Sequence, residues 1–360
     1  MKFYETQLSR LTIAIVVAAL QAVTACSLHD DDEMPAVGNQ IEFDVSTSGF
    51  TDAGRSGVVT TENIPEFRIW AYYFGQYNFV TLMDGTVVTR TGLNSWTYSP
   101  KVEWPDAPVI FTAVSPAVNE VSVNPYWRES IRYYRNTGKE DLLVARLYNP
   151  IQTSGRLKIH FYHALCMVDV SLHTSLAPGS VRVKSVTVCN VTTTGDYVFP
   201  DQGTNGATPE VITSGWEIYD MSTRTPLFIS DLGTLLDSNP LAADNQDNRF
   251  FIPSRLREFN FETYFNSSYL EVQYRLENPD GTVQWPDAST NSHLLSPDYP
   301  GYGVLRLPIG DMLPDNRWYS GRRYHYNVNL SAPATAPFAD SASSSAQVVT
   351  VTTENMLSLE

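Results

Sequence analysis

The chain has 360 residues, of which 42% are hydrophobic and 18% are charged, and its formal net charge at pH 7 is −15. Its 24 lysines and arginines are outnumbered by 39 acidic residues and form no basic run longer than Arg322-Arg323, so we expect no nucleic-acid partner. The composition is that of a folded protein, and the length allows two domains with separate cores.

The chain opens with a predicted lipoprotein signal peptide, residues 1–25. Lys2 and Arg10 flank a polar lead, and the apolar run Leu11–Leu20 is much shorter than the ~20 residues that a membrane-spanning helix needs. The sequence Val-Thr-Ala-Cys26 then resembles a bacterial lipobox, in which the cysteine is acylated and becomes the mature N-terminus. Cys26 is therefore the predicted lipidation site. The alternative is an ordinary secretory signal with a coincidental cysteine.

Residues 26–40 are predicted to form an acidic tether. Asp30, Asp31, Asp32 and Glu33 are consecutive acids, which cannot pack together and stay solvated. Such a run is either a flexible spacer or, by its resemblance to the acidic export tag of surface lipoproteins in Gram-negative anaerobes, a signal for the outer leaflet of the outer membrane.

From residue 41 onward, apolar and polar residues alternate, and short clusters of Gly, Pro, Asn and Asp break the alternation. This period of two is typical of half-buried antiparallel strands, and long helical patterns are nearly absent. The sequence therefore predicts an all-β fold, with strands at Ile41–Val45, Phe67–Tyr73, Thr81–Thr89, Trp96–Tyr98, Val109–Val114, Asp141–Ala145, Leu157–His163, Cys166–Leu172, Val181–Val191, Thr194–Phe199, Trp216–Tyr219, Arg249–Pro253, Ser268–Leu276, Thr282–Trp285, Val304–Leu307 and Tyr324–Leu330.

Two domains are predicted, residues 41–152 and 153–331, with the boundary near Asn149 to Gly155. The apolar parity flips shortly afterwards, from Leu157–His163 to Cys166–Leu172, which predicts a bulge or half-turn near Ala164-Leu165.

Residues 332–360 are predicted to form a linker and a C-terminal strand. Ala332–Ser345 is rich in Ala, Pro, Ser and Thr, and a β-prone segment follows it. A lone strand on a flexible arm is what strand exchange between subunits requires, whereas the alternative is a last strand that folds back onto its own domain. The candidate donor residues are Gln347, Val348, Val349, Thr350, Val351, Thr352 and Thr353.

We predict no enzyme, no cofactor and no metal site. The histidines show no metal-ligand or catalytic spacing, and His163, at the parity flip, is expected to be a hydrogen-bonded structural residue. The polar cluster Asp244–Asn248 lacks the alternating spacing of a calcium loop, so a solvated turn is favoured. Cys166 and Cys189 are expected to be two buried free thiols rather than a disulfide.

Aromatic residues are abundant, and exposed rings would suit sugar binding because sugar C–H faces stack on them. At strand positions, however, such residues are more often in a core. A surface glycan-binding lipoprotein is therefore the alternative function, and a hydrolase with carboxylates hidden among the many acids ranks below it. The aromatics in question are Trp70, Tyr72, Tyr73, Phe74, Tyr77, Tyr299, Tyr302, Trp318 and Tyr319.

An ordered set of motifs resembles the fimbrillin family of type V pilus components, specifically its surface lipoproteins. The resemblance implies two tandem transthyretin-like (Greek-key) β-sandwich domains and a surface-exposed pilus subunit or accessory component that serves adhesion. The motifs are the lipobox with its acids, Ile41–Val45, the loop with Arg55, Phe67–Tyr72, Trp96–Tyr98, Trp104-Pro105, Val109–Pro116, Asp141–Ala145, Ile159–Leu165, Gly195–Phe199 and Trp318–Tyr326.

The family also implies how such subunits assemble. A trypsin-like protease cuts shaft subunits after an arginine behind the first strand, here Arg55, and the strand of a neighbouring pilus subunit fills the groove that opens. A plain loop arginine is the alternative for Arg55. The implied partners are other pilus subunits, the outer membrane through the lipid anchor, and a host or bacterial surface protein or glycan. Asp340-Ser341-Ala342 resembles the O-glycosylation motif of the same bacteria, which makes Ser341 a candidate acceptor.

Overall fold

The computed structural model describes residues 39–47, 60–117, 121–122, 129–149, 155–237, 239–243, 249–260, 262, 266–338 and 349–355. The predicted all-β fold is confirmed, and no helix in these ranges is long and apolar enough to cross a bilayer. The first strands are β1 Glu42–Thr47, β2 Glu66–Phe74, β3 Phe79–Gly92, β4 Ser95–Thr97, β5 Val109–Ser115, β6 Val121–Ser122, β7 Ser130–Arg135, β8 Leu143–Asn149 and β9 Arg156–His163.

The second half adds one short helix, α1, at Pro209–Thr213 and a 3₁₀ turn at Ser292–Leu294. Its strands are β10 Cys166–His173, β11 Val181–Val191, β12 Thr194–Val198, β13 Trp216–Ile218, β14 Thr223–Leu235, β15 Leu241–Ala242, β16 Phe250–Phe251, β17 Tyr269–Glu277, β18 Val283–Trp285, β19 Gly303–Pro308, β20 Arg322–Asn329 and β21 Val349–Asn355.

The first β-sandwich is formed by strands in the order β1-β9-β8-β5-β2-β3-β4. Its core holds the inward side chains of these strands, among them Phe67, Phe111 and Phe161, all fully buried. Pairing is antiparallel along this order except between β1 and β9, which run parallel. Thus the first strand of the sandwich lies beside its last.

The second β-sandwich repeats this arrangement. One sheet has the order β15-β10-β20-β21 and the other β14-β11-β17-β18, with β19 on β17, and a second core lies among their apolar side chains. Here too the first strand, β10, runs parallel to β20. The two halves therefore share a topology that the sequence does not reveal as a repeat.

A small third sheet, in the order β13-β12-β7-β6, joins the two halves. Strand β7 comes from the first half and β12 from the second, and they pair antiparallel. A third apolar core lies beneath, to which the first half contributes Ile131 and Tyr162, and the second half Tyr197 and Trp216.

The chain passes from the first sandwich to the second at Ala164 and Leu165. Strand β9 pairs with β1 and β8, so it belongs to the first sandwich, although the predicted boundary near residue 152 assigns it to the second. Strands β8 and β9, which precede and follow the predicted boundary in sequence, are paired neighbours in one sheet. The parity flip at Ala164-Leu165 marks the passage instead, because the two strands face different cores.

The buried side chain of Arg146 also connects the halves: it forms an ion pair within the first half and donates hydrogen bonds to the second. Arg146 on β8 donates from Nε to Glu129 Oε2 at 2.6 Å, and its Nη1 donates to the carbonyls of Pro200 and Asp201, both at 2.8 Å. Burial raises the pKa of Glu129, and the hydrogen bond and charge of Arg146 oppose that shift. Because the Thr112 hydroxyl also donates to the carboxylate, the buried charges are satisfied and hold the two halves in one orientation.

Candidate functional site

The candidate site has two parts, and the first is strand β1. It is the terminal strand of the first sheet, and its residues pair in parallel with β9, from Glu42 opposite Arg156 to Thr47 opposite Phe161. A terminal strand is held by one ladder of backbone hydrogen bonds and by the side chains on its buried face. The ladder with β9 and the side chains on the buried face therefore account for most of what holds β1 in the sheet.

One face of β1 is buried in the first core. Ile41, Phe43 and Val45 are 0%, 2% and 6% exposed, and burial stabilises side chains of this size by about 1.5–3 kcal/mol each. The Phe43 ring meets the rings of Phe67 and Tyr98 edge-on, at centroid distances of 5.6 and 5.4 Å. If β1 left the sheet, it would uncover an apolar groove lined by aromatic side chains.

Polar contacts fix both ends of β1. The amide of Ile41 donates to the carbonyl of Val102 at 2.9 Å, and the Tyr98 hydroxyl donates to the carbonyl of Ile41 at 2.7 Å. Burial raises the pKa of Tyr98, so this hydroxyl keeps its proton at neutral pH. At the other end, the amide of Thr47 donates to the Thr61 hydroxyl at 2.8 Å.

The second part of the site is strand β21, which lies at the edge of the second sandwich. It pairs antiparallel with β20, with Val351 opposite Tyr326 and Thr353 opposite Tyr324. Among the described strands only β20 pairs with it, so its outer edge presents unpaired backbone groups. The segment thus folds back onto its own sandwich, which is one of the two arrangements that the sequence leaves open.

The structure describes only some of the predicted site residues. Five of the predicted donor residues form most of β21: Val349, Thr350, Val351, Thr352 and Thr353. The lipidation, cleavage and glycosylation candidates, the first two donor residues and the polar cluster near residue 246 lie outside the described residues; they are Cys26, Arg55, Ser341, Gln347, Val348 and Asp244–Asn248.

The histidine and the two cysteines that the sequence singles out are buried in the cores of the described structure. His163 Nδ1 lies 2.5 Å from Asp141 Oδ2 with both side chains buried, so the hydrogen-bonded histidine is confirmed. Cys166 and Cys189 are free, buried thiols, as predicted, and burial raises the pKa of both, that of Cys189 to about 12. Within the described ranges, no group of three or more His, Cys, Asp or Glu residues could hold a metal ion.

Most of the predicted sugar-platform aromatics pack inside the molecule. Trp70, Tyr72 and Trp318 are 7%, 3% and 0% exposed. Phe74 and Tyr77, at the turn between β2 and β3, are 64% and 84% exposed. Of these nine aromatics, four are buried, three are half-buried, and only Phe74 and Tyr77 are exposed.

Comparison with known proteins gives a family match and structural neighbours. The profile of the family described as Fimbrillin-like matches residues 45–355. A fimbrilin, FimA, from Porphyromonas gingivalis W83 is 12% identical, with a TM-score of 0.52, covering 88% of this chain and 97% of that one. This similarity supports the β-sandwich fold.

Two further solved structures are less similar. A candidate cell adhesion protein from Parabacteroides distasonis is 11% identical, with a TM-score of 0.49, and covers 88% of this chain and 98% of that one. The tip fimbrial protein Mfa3 from P. gingivalis is 10% identical, with a TM-score of 0.40, covering 88% and 99%. No curated protein matches the sequence.

Proposed function

Because the chain belongs to the fimbrillin-like family, we propose that it is a non-enzymatic pilus subunit, or an accessory or tip component, that serves adhesion and pilus assembly at the cell surface. The observation that carries the proposal is β1, whose apolar face fills the first core and which pairs with no strand other than β9 among the described strands. A strand held in this way can be replaced by another strand of similar pattern.

In this proposal, proteolysis after Arg55 severs β1 from the rest of the sandwich. Arg55 lies between Thr47, the end of β1, and Thr60, where the described chain resumes. After the cut, β1 is retained by non-covalent contacts alone: the ladder with β9, its buried apolar face, and the hydrogen bonds at its two ends. Its departure opens the aromatic groove and leaves the edge of β9 unpaired.

Strand β21 of a neighbouring subunit is the proposed replacement. Val349 and Val351 alternate with Thr350 and Thr352, as Ile41, Phe43 and Val45 alternate with polar residues in β1. Since β21 is an edge strand, it can leave its own sandwich at the loss of a single ladder. Inserted in the groove, it would gain a ladder with β9 and bury its valines.

The proposal includes an outer-membrane anchor and a modified linker. Acylation of Cys26 would attach the exported precursor to the membrane, and a glycan on Ser341 would sit in the segment that precedes β21. Intact-mass measurement of the exported Arg55→Ala precursor, which stays uncut, tests both: we expect a mass that exceeds the chain from Cys26 by acyl chains and a glycan. An unmodified mass would contradict both assignments.

The central test is polymerisation in vitro. Chain that is cut after Arg55 and keeps residues 347–360 should form ordered filaments. Cut chain that lacks residues 347–360 should not polymerise alone. Electron microscopy and sedimentation report the result, and uncut chain with Arg55→Ala in the presence of trypsin-like protease is the control. Filaments of equal length from the version without residues 347–360 would rule out β21 as the donor.

A further inference from the structure

Two exposed tyrosines lie side by side on the small sheet that joins the two halves. Tyr133 on β7 and Tyr219 just after β13 are 74% and 53% exposed, and their ring centroids are 5.9 Å apart with planes tilted by 37°. They come from different halves of the chain. Since aromatic rings are normally buried, an exposed pair is unusual enough to need an explanation.

A buried carboxylate holds the pair in position. Asp196, on the intervening strand β12, is 3% exposed and accepts from the amide of Tyr133 at 2.8 Å and from Arg132 Nη1 at 3.1 Å. It also accepts from the Tyr219 hydroxyl, and this hydrogen bond raises the pKa of Tyr219 to about 12. Burial alone would raise the pKa of Asp196, but these donors hold it below its ordinary value, so the carboxylate stays charged.

The backbone at this place is strained and closely packed. Tyr133 has φ +53°, in the left-handed region that bulky residues rarely adopt. A Cβ on Gly195 would lie 2.8 Å from the carbonyl of Glu217, so only glycine lets β13 approach β12 this closely. The unfavourable backbone conformation of Tyr133 is stabilised by the hydrogen bond from its amide to Asp196. In this conformation both tyrosine rings remain exposed at the surface.

A cleft of about 420 Å³ lies beside the pair. Arg135, two residues after Tyr133, and Asp220, next to Tyr219, both line it, and both are exposed. Arg135 makes no ion pair with another residue of the described ranges. Thr223 and Arg224 also line the cleft, so it offers several hydrogen-bond donors and acceptors together.

We propose that Tyr133, Tyr219 and the adjoining cleft form a saccharide-binding site. The tyrosine rings stack on the apolar C–H face of a pyranose ring, while Arg135 donates to the sugar hydroxyls and Asp220 accepts from them. The cleft volume is at the lower end of small-ligand sites, which suits one to a few sugar units.

A sugar fits this surface better than a second folded protein does. The exposed apolar side chains at β7 and β13 are Tyr133, Tyr219 and Ile218, which is 37% exposed, and the exposed arginines Arg132 and Arg135 lie on the same strand as Tyr133. Protein interfaces bury larger patches with few charges at the centre, whereas sugars need rings with charged and polar groups alongside.

The test is a glycan array that covers neutral, N-acetylated and acidic oligosaccharides, probed with the full chain and followed by titration of a bound oligosaccharide. We expect Tyr133→Asn and Tyr219→Ala to weaken binding about tenfold each. Asparagine tolerates the left-handed backbone, so the first variant removes the ring without adding strain. Tyr77→Ala, at the most exposed tyrosine of the turn between β2 and β3, is the matched control and should change binding less than twofold.

Melting temperature and filament formation are measured on the same variants. Tyr133→Asn should match the parent in both, whereas Tyr219→Ala, which also removes a hydrogen bond to Asp196, should melt at a lower temperature and still form filaments. Arg135→Ala should weaken binding of an acidic sugar more than that of a neutral one. The proposal is overturned if no glycan binds the parent more strongly than Tyr133→Asn, or if Tyr77→Ala weakens binding as much. It is equally overturned if the tyrosine variants change only the self-association of the chain, since the patch would then be a protein contact.

Discussion

Phe43→Ala is expected to destabilise the first sandwich by about 3–5 kcal/mol, the usual loss when a buried phenylalanine is truncated in a core that cannot collapse around the cavity. The Phe43 side chain is 2% exposed and contacts Phe67 and Tyr98 edge-on, so its loss removes contacts on two sides. Because β1 is a terminal strand, the loosened groove should also open more often. Denaturant unfolding and hydrogen exchange of the β9 amides measure the two effects.

The neighbouring residue gives the matched control. The Glu42 side chain is 39% exposed, and its carboxylate lies 3.7 Å from Arg156 Nε, a partly solvated pair. Glu42→Ala should therefore cost less than about 1 kcal/mol and leave β9 exchange unchanged. Phe43→Ala with a loss as small as that of Glu42→Ala would show that the aromatic contacts do not hold β1 in the groove.

Local pattern was sufficient to predict most strands, since a half-buried strand records its two faces in its own residues. The predicted Val181–Val191 is β11 itself. Strand β14, Thr223–Leu235, was missed because Pro226 within the run argues against a strand. The structure places β14 at the edge of its sheet, where a missing backbone donor is tolerated.

Boundaries and pairings depend on contacts between distant residues, which a single sequence does not record. The parity flip at Ala164-Leu165 was visible, but its meaning required knowing that β9 pairs with β1. The third sheet joins strands from both halves, and its strand β7 lies in a stretch without clean alternation, where the pattern predicts no strand.

The sequence predicts both strands of the candidate site but not their partners. The alternation in Ile41–Val45 predicted the buried face of β1, and the β-prone tail predicted β21. Neither pattern specified that β20 is the partner of β21. The sequence does not predict the tyrosine pair, because Tyr133 and Tyr219 are far apart in sequence. The local signal for it is the Gly195-Asp196 dipeptide: the Asp196 side chain binds the Tyr133 amide, and Gly195 lets β13 approach β12 closely.

A cross-link between β20 and β21 is expected to abolish assembly, because the proposed donor strand could no longer leave its own sandwich. Asn327 and Thr350 are direct cross-strand partners. Facing Cα atoms of antiparallel strands are about 4.5–5.5 Å apart, within the range that a disulfide spans. In a background with Cys26→Ser, the oxidised Asn327→Cys/Thr350→Cys variant should form no filaments from cut chain, and a reductant should restore them.

The matched control is Glu66→Cys/Thr89→Cys, which links facing residues of β2 and β3 that are equally far apart in sequence. These strands stay in the sheet in every step of the proposed assembly, so the oxidised control should polymerise as the parent does. Sedimentation and electron microscopy compare the four states, oxidised and reduced. Filaments from the oxidised β20–β21 variant at the parental rate would mean that β21 never leaves its own subunit, and strand donation would then have to come from another segment.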